Sequence, residues 1–149
     1  MAFTGNFMCT SFKLQLMSGV HAISASASSP VRAADTFKIA LYTSAATLDA
    51  STTVYSATNE TSGTGYTAAG NTLASGATSS SGTTAFADFA DSSWTTASFT
   101  ARGALIYNST QANKSVVVLD FGADKTSTAG TFTVIFPAND ASNAIIRIA

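Results

Sequence analysis

Few side chains in this sequence could do chemistry, and their spacing decides which kinds are open. Histidine, cysteine and glutamate each occur once, as His21, Cys9 and Glu60. A Ser-His-acid triad needs a histidine as base. His21 sits at the end of an N-terminal helical segment, away from the strand-rich remainder, and reads as a structural or solvent-facing residue. On one continuous helix, Cys9 and His21 would be separated by about 18 Å of rise, too far to act as a dyad. One Cys and one His cannot complete a zinc site within the chain. Asp88, Asp91, Asp120 and Asp124 offer the oxygens that calcium accepts, but calcium-loop spacing is missing and they read as turn formers. Glycosidase chemistry needs two facing carboxylates, and Glu60 stands in the polar context Asn59-Glu60-Thr61. Gly63-Thr64-Gly65 lacks the Lys and helix start of a phosphate loop. The expectation is a non-enzymatic chain with no metal and no cofactor.

The aromatic candidates are Trp94 and Tyr66, both in expected loops. They could stack on a sugar, cap the ends of the core, or pack against a neighbouring subunit. Triplets for N-glycosylation at Asn59, Asn108 and Asn113 are expected by chance in so hydroxyl-rich a chain.

Composition points elsewhere. Of 149 residues, 44 are Ser or Thr and 28 are Ala, while 10% are charged. Soluble domains average about 25% charged residues. Hydroxyls wet a surface yet cost less than charges to desolvate when that surface is later covered. The chain therefore reads as a part that sits against neighbours. Net charge is −1 and the basic residues are scattered, so neither nucleic acid nor an anionic membrane is an expected partner. No apolar run reaches the length of a spanning helix. Residues 12–27 end in Ser24-Ala25-Ser26-Ala27, like a secretory cleavage site. Gln15, Ser18, Gly19 and His21 interrupt the run, however, and the segment is expected to be retained.

The elements that would position these residues fall into two segments. Residues 1–30 hold a helix over 6–20, marked by Met8, Phe12, Leu16 and Val20 at a spacing of four, with Leu14 and Met17 beside them. Gly19 marks its end, and a Ser/Ala linker with Pro30 follows. Residues 31–149 form a β domain. Strands are expected at 37–42, 52–57, 85–90, 99–108, 115–121, 131–136 and 144–148, with turns at Asn108-Ser109, Gly122-Ala123-Asp124 and Pro137-Ala138-Asn139-Asp140. Residues 62–84 read as one long loop with a short strand at 71–74. The fold class is mainly β: an antiparallel β-sandwich or jelly-roll-like domain preceded by a short N-terminal helix or arm. The helix carries an apolar stripe that either packs on its own sandwich or docks on a neighbour through Phe7, Met8, Phe12, Leu16 and Met17. Arg102 and Arg147 lie among apolar residues and either pair with Asp120 or Asp88 or face solvent.

Several stretches carry a resemblance. Thr36-Phe37-Lys38-Ile39-Ala40-Leu41-Tyr42, then Asn59-Glu60 and Gly63-Thr64-Gly65-Tyr66-Thr67-Ala68, resemble virion proteins of tailed bacteriophages. So do Thr100-Ala101-Arg102-Gly103-Ala104-Leu105-Ile106-Tyr107-Asn108, the closing Ala144-Ile145-Ile146-Arg147-Ile148, and Phe12-Lys13 with Gly19-Val20-His21. The resemblance covers almost the whole chain and implies a structural component of a phage particle with no catalytic residues. Among small all-β virion proteins, capsid decoration (cement) proteins are the most numerous per particle, and many form trimers at threefold positions of the shell. This implies a location in the virion, with the major capsid protein and further copies of the chain, as a trimer, for partners. A neck, tail or baseplate component is the alternative within the particle, and a secreted adhesin or carbohydrate-binding sandwich the alternative outside it. Ala69 stands where the resemblance leads one to expect a second glycine before Gly70.

Overall fold

The computed structural model describes residues 3–25, 31–74 and 77–149, so most of the expected Ser/Ala linker and Pro30 lie outside the described residues. Its elements, in order, are β1 (Phe7–Met8), α1 (Thr10–Met17), β2 (Phe37–Tyr42), β3 (Asn71–Thr72), β4 (Ala77–Ser81), β5 (Thr84–Asp88), β6 (Ser92–Asn108), β7 (Lys114–Val134) and β8 (Ile146–Ile148). They make a five-stranded sheet, β1-β7-β6-β2-β3, and a three-stranded sheet, β4-β5-β8, antiparallel throughout. One hydrophobic core joins them, with Phe37, Ile39 and Val117 of the first sheet and Ala87 and Ile146 of the second. The expected mainly β, sandwich-like class with a short N-terminal helix is what the chain adopts.

The β6–β7 ribbon is the spine. Residues 115–121 and 131–136, read as two strands with a turn between them, belong to the single strand β7. Gly122-Ala123-Asp124 does not turn the chain back. With Phe121 it forms a wide bulge, because Ala101 pairs with Lys125 and Gly103 with Asp120, leaving four residues opposite Arg102 alone. The bulge divides the ribbon. In the base half, Ala104, Leu105 and Ile106 face Leu119, Val118 and Val117, and all but Leu119 are buried. In the distal half, β7 alternates exposed Thr131 and Thr133 with buried Phe132 and Val134, the period of a strand wet on one side.

In β2 every residue except Lys38 is buried. The alternation of Phe37, Ile39 and Leu41 with Lys38, Ala40 and Tyr42 implies a half-buried strand, but the sheet is covered on both faces. Asn108, paired with Phe37, reaches His21 on one face. Tyr107, paired with Lys38, reaches Ala69 on the other, donating to its carbonyl at 2.7 Å.

The helix is shorter than its apolar spacing implied. Met8 is already in β1, paired with Val117, and Val20 lies beyond the helix end. Gly19, at φ +68, closes α1 with Gly19 N–H bonding Leu16 and Val20 N–H bonding Gln15, so a left-handed residue terminates the helix as expected. Because β1 is a strand of the main sheet and Phe12 is wholly buried, residues 3–25 belong to the same core as the β domain rather than forming a separate arm. The strand expected at 52–57 reduces to one bridge, Val54 with Lys114. Conversely, β4, with sequence ATSSS, lies inside the expected long loop.

Candidate functional site

The outward faces of the distal ribbon and of β4 carry hydroxyls in place of charge. Across β6 and β7, the hydroxyls of Ser93 and Thr133 lie 2.9 Å apart, and those of Thr100 and Thr126 lie 2.7 Å apart. All five residues of β4 are exposed, and Thr78 bonds Ser24 at 2.7 Å. Cross-strand hydroxyl pairs satisfy each other while leaving lone pairs for water or for a covering partner. Asp124, within the bulge, and Lys125, the first paired residue after it, are the only charges of the distal half of β7, residues 121–134.

Behind that face lies an aromatic wedge. Phe99 and Phe132 have ring centroids 5.1 Å apart, Trp94 meets both edge-on, and Tyr66 stacks on Trp94 at 6.1 Å. Trp94 is 3% exposed, and its Nε1 has no hydrogen-bond partner among the described residues. Trp94 therefore belongs to β6 and to the core, not to a loop, and is no sugar platform. Tyr66 is half-buried against the core with its hydroxyl engaged, the core-capping alternative of those expected for it.

That engagement centres on the single glutamate. Glu60 Oε1 accepts from Tyr66 Oη and from Ala69 N–H, each at 2.7 Å, and Oε2 accepts from Tyr55 Oη at 2.6 Å. Tyr66 Oη in turn accepts from Leu41 N–H at 2.9 Å. Tyr55 stacks on Tyr107 at 4.7 Å, and Tyr42 donates to Ser56 O at 2.6 Å. All four tyrosines of the chain thus gather where residues 43–70 cross the main sheet. Burial and the Glu60 charge raise their pKa values, that of Tyr107 to about 12, so they stay protonated donors at neutral pH. The segment lies against bare backbone: a Cβ on Gly70, at φ +66, would overlap the Ile39 carbonyl. Ala69 before it is also left-handed, at φ +69. Residues 62–70, expected as part of a long loop, are therefore held with Glu60 as a clasp.

A second polar cluster fastens the N-terminal segment. His21 is buried against Phe12, with ring centroids 4.8 Å apart. It bonds Gln15 Oε1 through Nε2 at 2.8 Å and Asn108 Nδ2 through Nδ1 at 2.9 Å. Asn108 Nδ2 also donates to Asp35 Oδ2 at 2.7 Å, and Asp35 accepts further from Ala22 N–H and Gln111 Nε2. Burial opposes the Asp35 charge, but these bonds and Arg32, at 3.3 Å, outweigh it and hold the carboxyl below its ordinary pKa. Arg32 also donates to the carbonyls of Gly19 and Val20. Asn108, fully buried with its amide committed, is inaccessible to glycosylation in the folded chain.

Of the expected partner contacts, Phe12 is wholly buried in the chain's own core, so it is not an exposed contact. Phe7, Met8 and Leu16 are half-buried against that core. Met17 is 87% exposed and Leu14, three residues before it on α1, is 66% exposed. Met8, Leu16 and Met17 line a shallow cavity of about 460 Å³ with Lys13, Arg147 and Ile148. Ile148 and Ile135, not singled out from sequence, are exposed as well. Ile148 was concealed because strand alternation does not say which face a short terminal strand presents.

The remaining titratable groups are dispersed. Cys9 is buried, and burial raises its pKa. α1 ends before His21, so the two are not on one helix, and His21 is not among the groups acting on Cys9. Arg102 pairs with Asp120 at 3.2 Å, whereas Arg147 donates to the Ser142 carbonyl and leaves Asp88 to the backbone N–H groups of Phe89 and Ile145. Asp91 accepts from Phe136 N–H. Among the described residues no three metal-ligating side chains converge. Comparisons with family models, with curated proteins and with solved structures return no match.

Proposed function

We propose that this chain is a structural subunit of a tailed-phage virion, a capsid decoration protein that reinforces a shell by being covered. The observation that carries this reading is the uncharged, hydroxyl-paired outer face of the distal ribbon, wet enough for a free subunit and inexpensive to desolvate. Charged faces of the same area would cost several kcal/mol more to cover without exact partners. The exposed pair Leu14 and Met17 on α1, the latter sharing a cavity with Lys13 and Arg147, adds an apolar contact. The polar clusters support the same reading, because the bonds of Glu60 and His21 are spent on holding the fold.

The test is co-sedimentation of the purified chain with empty shells of the cognate phage. Saturable binding at a fixed ratio to the shell protein is expected, and it should be lost in Leu14→Asp/Met17→Asp or in Thr100→Lys/Thr126→Lys. Binding only to isolated necks or tails would move the subunit there, and binding to neither would end the virion reading.

A further inference from the structure

The protonation state of His21 is dictated by its neighbours. Asn108 Oδ1 accepts from two backbone N–H groups, Thr110 and Gln111, each at 3.1 Å, and a backbone N–H can only donate. Asn108 Nδ2 points at the Asp35 carboxylate, which can only accept. The amide orientation is therefore fixed from both ends. Its N–H directed at His21 requires a bare lone pair on Nδ1, and the ring's one proton sits on Nε2, donated to Gln15. No acceptor is left for a second proton.

We infer that His21 is an acid-sensitive latch: protonating Nδ1 sets two donors face to face at Asn108 and unseats α1 from the sheet. Burial of the ring is the larger influence against a positive imidazole, and the charges around it divide. Asp35, the strongest of them, favours a positive ring, while Lys114, from β7, and Arg32, from the segment before β2, oppose it. Asp35 offers the ring no bond, because its oxygens are taken by Ala22, Asn108, Gln111 and Arg32. α1 contributes the uncharged Gln15 and Phe12, and β6 the uncharged Asn108. Flipping the Asn108 amide would relieve His21 only by breaking both turn bonds of residues 108–111 and facing the amide oxygen to Asp35.

The direction with pH follows. Burial lowers the His21 pKa from its ordinary value of 6.5 in the folded chain. A base depressed by folding contributes stability that is complete above that ordinary value and is lost as pH falls through it towards the folded value. The latch is thus closed at neutral pH and opens in acid. It acts within one subunit and does not depend on the virion reading.

The chain carries its own reporter. Cys9, its only thiol, immediately precedes α1 and is fully buried. Labelling with 4,4′-dithiodipyridine, normalised at each pH to the urea-unfolded chain, reads opening without interference from thiol ionisation. Normalised labelling of wild type should rise on the order of tenfold between about pH 7.5 and pH 5. In His21→Gln, which offers Asn108 an acceptor and Gln15 a donor without titrating, the rate should stay flat. An equal rise in both proteins overturns the latch. Should His21→Gln not fold, the wild-type imidazole can be followed by NMR. Titration below the ordinary histidine value, in step with the Gln15 and Asn108 side-chain amides, supports the latch; independent titration overturns it.

Discussion

The two halves of the β6–β7 ribbon are built from the same strands but solve different problems. The base half is closed on both faces, with Leu105, Ile106, Val116 and Val118 fully buried. Its polar contacts are single and irreplaceable: one glutamate, one histidine and one asparagine, each with nearly every donor or acceptor used. The distal half is closed on one face by rings and open on the other, where Ser93, Thr100, Thr126 and Thr133 bond in interchangeable pairs. The contrast separates what specifies the fold from what is available to a partner. Substitutions that are ruinous in the base should have mild counterparts on the distal face.

The sharpest way to break this contrast is at Gly70. A side chain there meets the Ile39 backbone in a left-handed conformation that valine tolerates poorly. Gly70→Val should cost more than about 4 kcal/mol, seen as a collapsed urea midpoint or loss of soluble chain. A cost under 1 kcal/mol would mean that the 43–70 segment is not clasped. Glu60→Gln comes next. It keeps the shape but loses the charge-assisted bonds to Tyr55 and Tyr66, so about 1–2 kcal/mol should be lost by chemical denaturation. Trp94→Phe should cost about 1 kcal/mol, the area term alone, because Nε1 gives up no hydrogen bond. A much larger loss would reveal a partner for that N–H. At the bottom, Thr100→Ala with Thr126→Ala should shift stability by under about 0.5 kcal/mol. If that double variant unfolds the chain, the distal face is structural and the division of labour fails.

Much of the base was legible in sequence. The apolar alternation in β2, the β-branched run of β7 and the Gly19 stop all appear where period and turn chemistry place them. What escaped depended on contacts distant in sequence. Nothing local marks Asn59-Glu60-Thr61 as a hub, since the tyrosines it gathers span positions 42 to 107. The strand β4 has no apolar residue larger than alanine, so neither periodicity nor propensity announces it; pairing with β5 makes it a strand. Gly122-Ala123-Asp124 has the composition of a turn, and only the continued pairing of Lys125 and Thr126 with β6 turns it into a bulge. The N-terminal contacts were half legible. Spacing placed Phe12 and Leu16 on one helix, but only packing decides that Phe12 points into its own core while Met17 is left exposed.

Whether the uncharged distal face is covered in a particle, as proposed, is read directly from a density map of the intact virion at a resolution that places a domain of this size. Copies are expected on the outside of the shell in a number set by the capsid lattice, with Thr100 and Thr126 or the Leu14–Met17 face turned against a neighbour. A map that confines the chain to the neck or tail, or one in which both faces stand free in solvent, would contradict the proposal.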